Sequence, residues 1–109
     1  MARTGVVYIG TTRAGLIQED EAGITFAYDV EYLSRADAVP ISFTLPLRQE
    51  PFPSKTMLPF FDGLIPEGWL LDIAAKSWKI DLRDRMGLLL TVCRDTIGAV
   101  SVVNIEEAY

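Results

Sequence analysis

The first half of the chain alternates apolar and polar positions with a period of two, and the second half changes to a helical period. Gly5-Val6-Val7-Tyr8-Ile9 is β-branched and aromatic, and Ala14-Gly15-Leu16-Ile17 follows after the turn Gly10-Thr11-Thr12-Arg13. The two runs predict a hairpin. Beyond the polar turn Glu19-Asp20-Glu21-Ala22-Gly23, Ile24, Phe26 and Tyr28 alternate with Thr25 and Ala27 and predict a third strand. Asp29 is a candidate cap for a short helix carrying Tyr32 and Leu33, ending before Pro40 because the residue before a proline avoids the α region. Ile41, Phe43 and Leu45 alternate with Ser42 and Thr44 and predict a fourth strand stopped by Pro46. Leu47 to Ser54, with Pro51 and Pro53, reads as a loop.

Ser54 is then a candidate N-cap for Lys55 to Leu64, an element that Pro59 keeps short or kinked. Pro66 suits the first turn of a second helix running to about Trp78, with Glu67 at the positive end of its dipole. Asp81, with Asp84 three residues on, predicts the cap of a third helix from Leu82 to Cys93, and Ala99 to Ile105 predicts a closing strand. Strands first, helices later and one strand to finish predict an α+β fold. Its antiparallel β-sheet has about five strands, with two to three helices packed on it. The 109 residues fit one domain, 1–109, without linker or repeat.

Composition narrows the function classes. The chain is 50% hydrophobic and 23% charged, as expected of a globular protein, and its formal net charge is −5 with no clustered basic residues. That excludes an electrostatic footprint for nucleic acid. No uncharged apolar run is long enough to span a membrane, and the start lacks the apolar segment of a signal peptide, so a cytoplasmic location is expected. The sequence holds no histidine, which excludes Ser/His/Asp and Cys/His nucleophilic sites and removes the commonest metal ligand. Gly10 to Gly15 matches half of a phosphate loop, but Leu16-Ile17 stands where Lys and Ser or Thr are needed, and a hairpin turn explains both glycines. Glu19, Asp20 and Glu21 lack calcium-loop spacing and read as a solvated turn. Nothing singles out one carboxylate pair among the fifteen acids. Cys93 reads as a buried structural thiol. No catalytic residue, cofactor or metal is expected, and the chain is read as a non-enzyme.

The two tryptophans bring the argument to one segment. At about 100° per residue, Trp69 and Trp78 fall on opposite sides of a helix. Trp78 joins Leu70, Leu71, Ala74 and Ala75, whereas Trp69 shares its side with Asp72, Lys76 and Ile73. Two readings stay open: Trp69 is an exposed contact residue, as large exposed aromatics often are, or it folds back over Phe60, Phe61 or Leu64.

Three stretches, PISFTLPL (Pro40 to Leu47), MLPFFDGLIPEGWLLD (Met57 to Asp72) and CRDTIGAVSV (Cys93 to Val102), resemble in order and spacing the N-terminal subdomain of HipA-type serine/threonine kinases. The family pattern is close to P-L-S-x-S-L-P-L, F-F-x-x-L-L-P-E-G and G-R-D-x-x-G-A-V/L; Cys93 stands where glycine is usual. A full kinase of that family continues well past this subdomain into its nucleotide site and catalytic aspartates, whereas this chain stops at Tyr109. As a stand-alone chain it resembles the HipS antitoxins of three-gene HipBST modules. The resemblance implies an antitoxin that binds and inhibits a HipT-like kinase toxin, in a larger complex with a HipB-like DNA-binding protein. The expected kinase contact comprises Gly63, Ile65, Pro66, Glu67, Gly68, Trp69, Asp72 and Ile73, with Trp69 as anchor and Glu67 and Asp72 as flanking charges. The alternative is a subdomain in trans that completes or activates a split kinase. The RDTIGA turn, Arg94 to Ala99, is read as structural.

Overall fold

The computed structural model describes residues 2–65, 76, 79–93 and 99–107. Strands β1 (Arg3–Ile9), β2 (Thr12–Asp20), β3 (Gly23–Tyr28), β4 (Phe52–Ser54) and β5 (Val100–Asn104) form one antiparallel sheet in the order β4-β3-β2-β1-β5. Helices α1 (Val30–Leu33), α2 (Pro59–Asp62) and α3 (Arg85–Val92) complete the described elements, and the fold is α+β.

The hairpins follow from local chemistry. Ile9 pairs with Thr12 across a two-residue turn in which Gly10 takes φ +61°, a region open to glycine at little cost. Past Val7 the β1–β2 register slips by one residue, because Tyr8 pairs with Arg13 and Ala14 is left over as a bulge. The freed Ala14 carbonyl accepts from the Asp29 N–H at 2.8 Å, which fixes where β3 hands over to α1.

Register then sorts the side chains. Phe52, Phe26, Ile17 and Gly5 lie in one row across the sheet, and Tyr28, Gly15, Val7 and Val102 in the next. These rows face α2 and α3. A methyl group on Gly5 would stand 2.7 Å from Leu90 Cδ2 and 2.8 Å from Val102 Cγ1, so glycine is what lets α3 settle on the sheet. The core is completed by Phe61, Met86, Leu88, Leu89 and Cys93, all essentially without exposed surface.

Three expectations are corrected. Residues 41–45 form no strand: Ser42 and Leu45 make an isolated bridge closing a turn, with the Leu45 N–H donating to Ser42 O at 3.0 Å. Pro40 and Pro46 flank a segment too short to pair along an edge, and Ile41 and Leu45 turn inward while Phe43 points out. The fourth strand is instead Phe52–Ser54, inside the stretch read as a loop; it is a sheet edge, where Pro53 can sit because its missing N–H breaks no interior ladder. Finally, α2 begins at Pro59 rather than Lys55, and α3 begins at Arg85 with Asp84, not Asp81, as its cap. Asp81 closes a preceding turn by accepting from the Arg83 N–H at 2.8 Å.

Candidate partner-binding surface

The chain approaches the segment singled out above through Met57 to Ile65. Met57, Leu58, Phe61 and Ile65 are buried, while Phe60 and Leu64 are partly buried against the same cluster. Pro59 occupies the first turn of α2, where its missing N–H costs nothing. Asp62 accepts from Arg85 Nε at 2.6 Å and so ties α2 to α3. One residue pair later, Leu64 O accepts from the Cys93 thiol at 3.5 Å. Burial pushes that thiol's pKa up to about 11, with the nearby Arg85 charge pulling weakly the other way.

Of the expected contact residues, Gly63 caps α2 and is exposed, and Ile65 is 2% exposed and packs in the core, where its side chain supports rather than touches a partner. Pro66, Glu67, Gly68, Trp69, Asp72 and Ile73 lie outside the described residues, as do Trp78 and Arg94 to Gly98. The structure therefore brings the chain to the threshold of the segment on a firmly held backbone.

A second surface feature is the turn between α1 and β4. Two buried tyrosines hold it by their hydroxyls. Tyr28 Oη donates to Leu45 O in a short hydrogen bond and accepts from the Ile41 N–H at 3.1 Å. Tyr32 Oη donates to Val39 O at 2.6 Å and accepts from the Val39 N–H at 3.1 Å. At the tip, Ser42 Oγ meets Thr44 Oγ1 at 3.0 Å and accepts from the Thr44 N–H at 3.3 Å. Phe43, between them, is fully exposed. Rings link this turn to α2: Phe60 to Phe61 at 5.2 Å, Phe61 to Phe26 at 5.3 Å, Phe26 to Tyr28 at 4.8 Å and Tyr28 to Tyr32 at 6.0 Å between centroids. Sequence reading missed Phe43 as a surface feature, although Pro40, Pro46 and the Ser42-x-Thr44 spacing are turn signals.

The remaining charges are structural. Arg3 reaches Glu19 at 2.7 Å and both oxygens of Asp84 at 2.7 and 3.0 Å, joining the sheet to the start of α3. Arg13 pairs with Asp29 at 2.7 Å. Arg48 stacks over Phe52 at 3.7 Å from the ring centroid. Among the described residues, no group of three or more acidic or cysteine side chains could hold a metal ion, and no helix is long and apolar enough to cross a membrane.

Comparison with known proteins follows the same architecture. A protein of Haemophilus influenzae described only as uncharacterized is 35% identical over 102 residues, covering 94% of this chain and 92% of that protein. A putative kinase of Sinorhizobium fredii, Y4mE, is 31% identical over 86 residues, which are 79% of this chain but only 20% of the kinase. A solved structure, the N-terminal domain of HipA toxin, superposes with a TM-score of 0.72 at 29% identity, covering 96% of this chain and 94% of that one. The family model of the HipA N-terminal domain matches residues 6–103, nearly the whole chain, and this protein therefore belongs to that family.

Proposed function

We propose that this chain is an antitoxin that binds a HipA-family serine/threonine kinase of the HipT type and suppresses its activity by direct contact, as its resemblance to HipS implies. The observation that carries the reading is one of extent. The same domain makes up nearly all of this chain and of its Haemophilus relative, yet only a fifth of a putative kinase. The chain holds the piece that accompanies a kinase and matches little of the rest, so it acts on a kinase by contact, without catalysis of its own.

The contact is centred on Trp69, flanked by Gly63, Pro66, Glu67, Gly68, Asp72 and Ile73, with Ile65 as the buried footing. This assignment rests on the sequence: Trp69 shares its helical side with charged residues, and tryptophan is enriched among interface hot spots. The net charge of −5 suits a basic, phosphate-handling face of a kinase and opposes direct DNA binding, which falls to a HipB-like protein in the same complex. The cytoplasm is the expected compartment.

The test is kinase activity titrated with wild type and with Trp69→Ala. Wild type inhibits, and the variant binds at least about thirtyfold more weakly, as for truncation of a central interface tryptophan. A loss below about threefold, with the fold intact, removes Trp69 from the centre of the contact. The coverage of Y4mE also favours a second reading, in which this domain completes a kinase divided between two chains. The sign of the effect decides, because a rise in phosphorylation on adding wild type establishes completion and excludes the antitoxin.

A further inference from the structure

We infer that the turn carrying Phe43 is a second, preformed anchor for the kinase chain, seated in an uncharged apolar socket of that chain; this rests on the function proposed above. The exposure is extreme. Phe43 is 104% exposed, more open than in an extended reference peptide, and Val39 and Leu47 beside it in sequence are 49% and 37% exposed. A large aromatic left in water on a chain that buries Phe26, Phe52 and Phe61 so thoroughly gains nothing for the isolated fold.

The turn is held as few surface loops are. The hydroxyls of Tyr28 and Tyr32 each take one backbone N–H and serve one carbonyl across residues 39–45, and the Ser42 hydroxyl fixes the tip from within. Pro40 and Pro46 restrict φ on both sides. Ile41 and Leu45 are buried in the core on either side of the tip. Little conformational freedom is left to lose on docking, which is the condition under which one aromatic side chain contributes most to affinity.

The chemistry of the turn selects the partner. No charged residue stands between Asp37 and Arg48, and these two are engaged elsewhere: Asp37 with Arg35 at 3.0 Å, Arg48 with the Glu50 and Pro51 carbonyls at 3.1 and 2.9 Å. A charged socket would be desolvated here without compensation, so the partner surface is apolar. Nucleic acid and anionic lipid both need basic residues that the turn lacks. A kinase chain is the occupant supported by the family, because in Y4mE four fifths of the protein lies outside the segment that this chain matches, and a domain so embedded must rest against the remainder.

The experiment measures binding of a HipA-family kinase chain lacking such a domain of its own, by calorimetry, to wild type, Phe43→Ala, Phe43→Asp, Phe43→Leu and Trp69→Ala. Each Phe43 variant melts with the wild type, since the side chain touches nothing in the fold. Phe43→Ala weakens binding by about tenfold or more, Phe43→Asp by more still, and Phe43→Leu by only a few-fold, as an apolar socket requires. If wild type binds and Phe43→Asp stays within threefold of it, the inference is overturned and the proposed function stands. If Phe43→Asp instead abolishes self-association in sedimentation and leaves kinase binding unchanged, the occupant is a second copy and the inference is again overturned. If wild type binds no kinase, both readings fail together.

Discussion

Tyr28 does two jobs with one side chain. Its ring lies in the aromatic row against Phe26, and its hydroxyl closes the turn by serving Ile41 N–H and Leu45 O. Burial pushes the phenol's pKa above its ordinary value, so the hydroxyl stays protonated and keeps its donor role. Tyr28→Phe preserves the ring and strands two backbone groups; each unsatisfied buried group costs about 1–3 kcal/mol, so a loss of about 2 kcal/mol is expected in urea unfolding. A loss under about 0.5 kcal/mol would mean that water replaces the hydroxyl at both sites. The sequence made half of this legible. Alternation of Ile24, Phe26 and Tyr28 announced a strand, but the same alternation in Ile41, Phe43 and Leu45 announced a second one that does not exist. A period of two over five residues is satisfied equally by a strand and by a turn whose tip faces outward. The deciding hydroxyls sit 13 and 7 residues away, where no local pattern can register them.

At the scale of elements, the start of α3 shows how a long-range partner chooses between two local options. Asp81 and Asp84 are both good caps by residue type. Asp84 prevails because its carboxylate accepts from the Gly87 N–H at 3.1 Å and also receives Arg3 from β1. The Arg3 hydrogen bonds are the main reason that the Asp84 carboxyl lies below its ordinary pKa, with the Gly87 N–H adding to them and partial burial opposing. A carboxyl whose folded pKa is lowered contributes stability that is complete above its unfolded value and disappears as pH falls through the folded one. Asp84→Asn should therefore be less stable than wild type by about 1 kcal/mol near neutrality, and the gap should close as acid protonates the wild-type group. A gap that is constant from pH 7 to pH 2 would remove the ionic part of this account. In the same way β4 escaped the sequence because Pro51 and Pro53 signal a loop, and only the register with β3 places Phe52 beside Phe26.

For the molecule as a whole, the change from strand period to helix period was legible as an α+β fold, and the order of motifs gave the family resemblance, because both depend on sequence alone. The contact surface was less so. Trp69 was conspicuous by its place on a wheel, whereas Phe43 required knowledge of which of two similar apolar positions points away from the core. Cys93 stands where the main parts of the described structure meet. Its thiol donates to Leu64 O beyond α2, its carbonyl accepts from the Val102 N–H of β5 at 2.9 Å, and its own N–H donates to Leu89 O in α3. It is also the one cysteine of the chain. With its pKa near 11, only about one thiol in a thousand is ionised at pH 8 even when solvent reaches it. Nature has thus placed a single chemical clock at the joint: the rate at which Ellman's reagent finds this sulfur should report how often the joint parts, and a bound kinase that grips the segments leaving it should slow that clock in proportion to its occupancy.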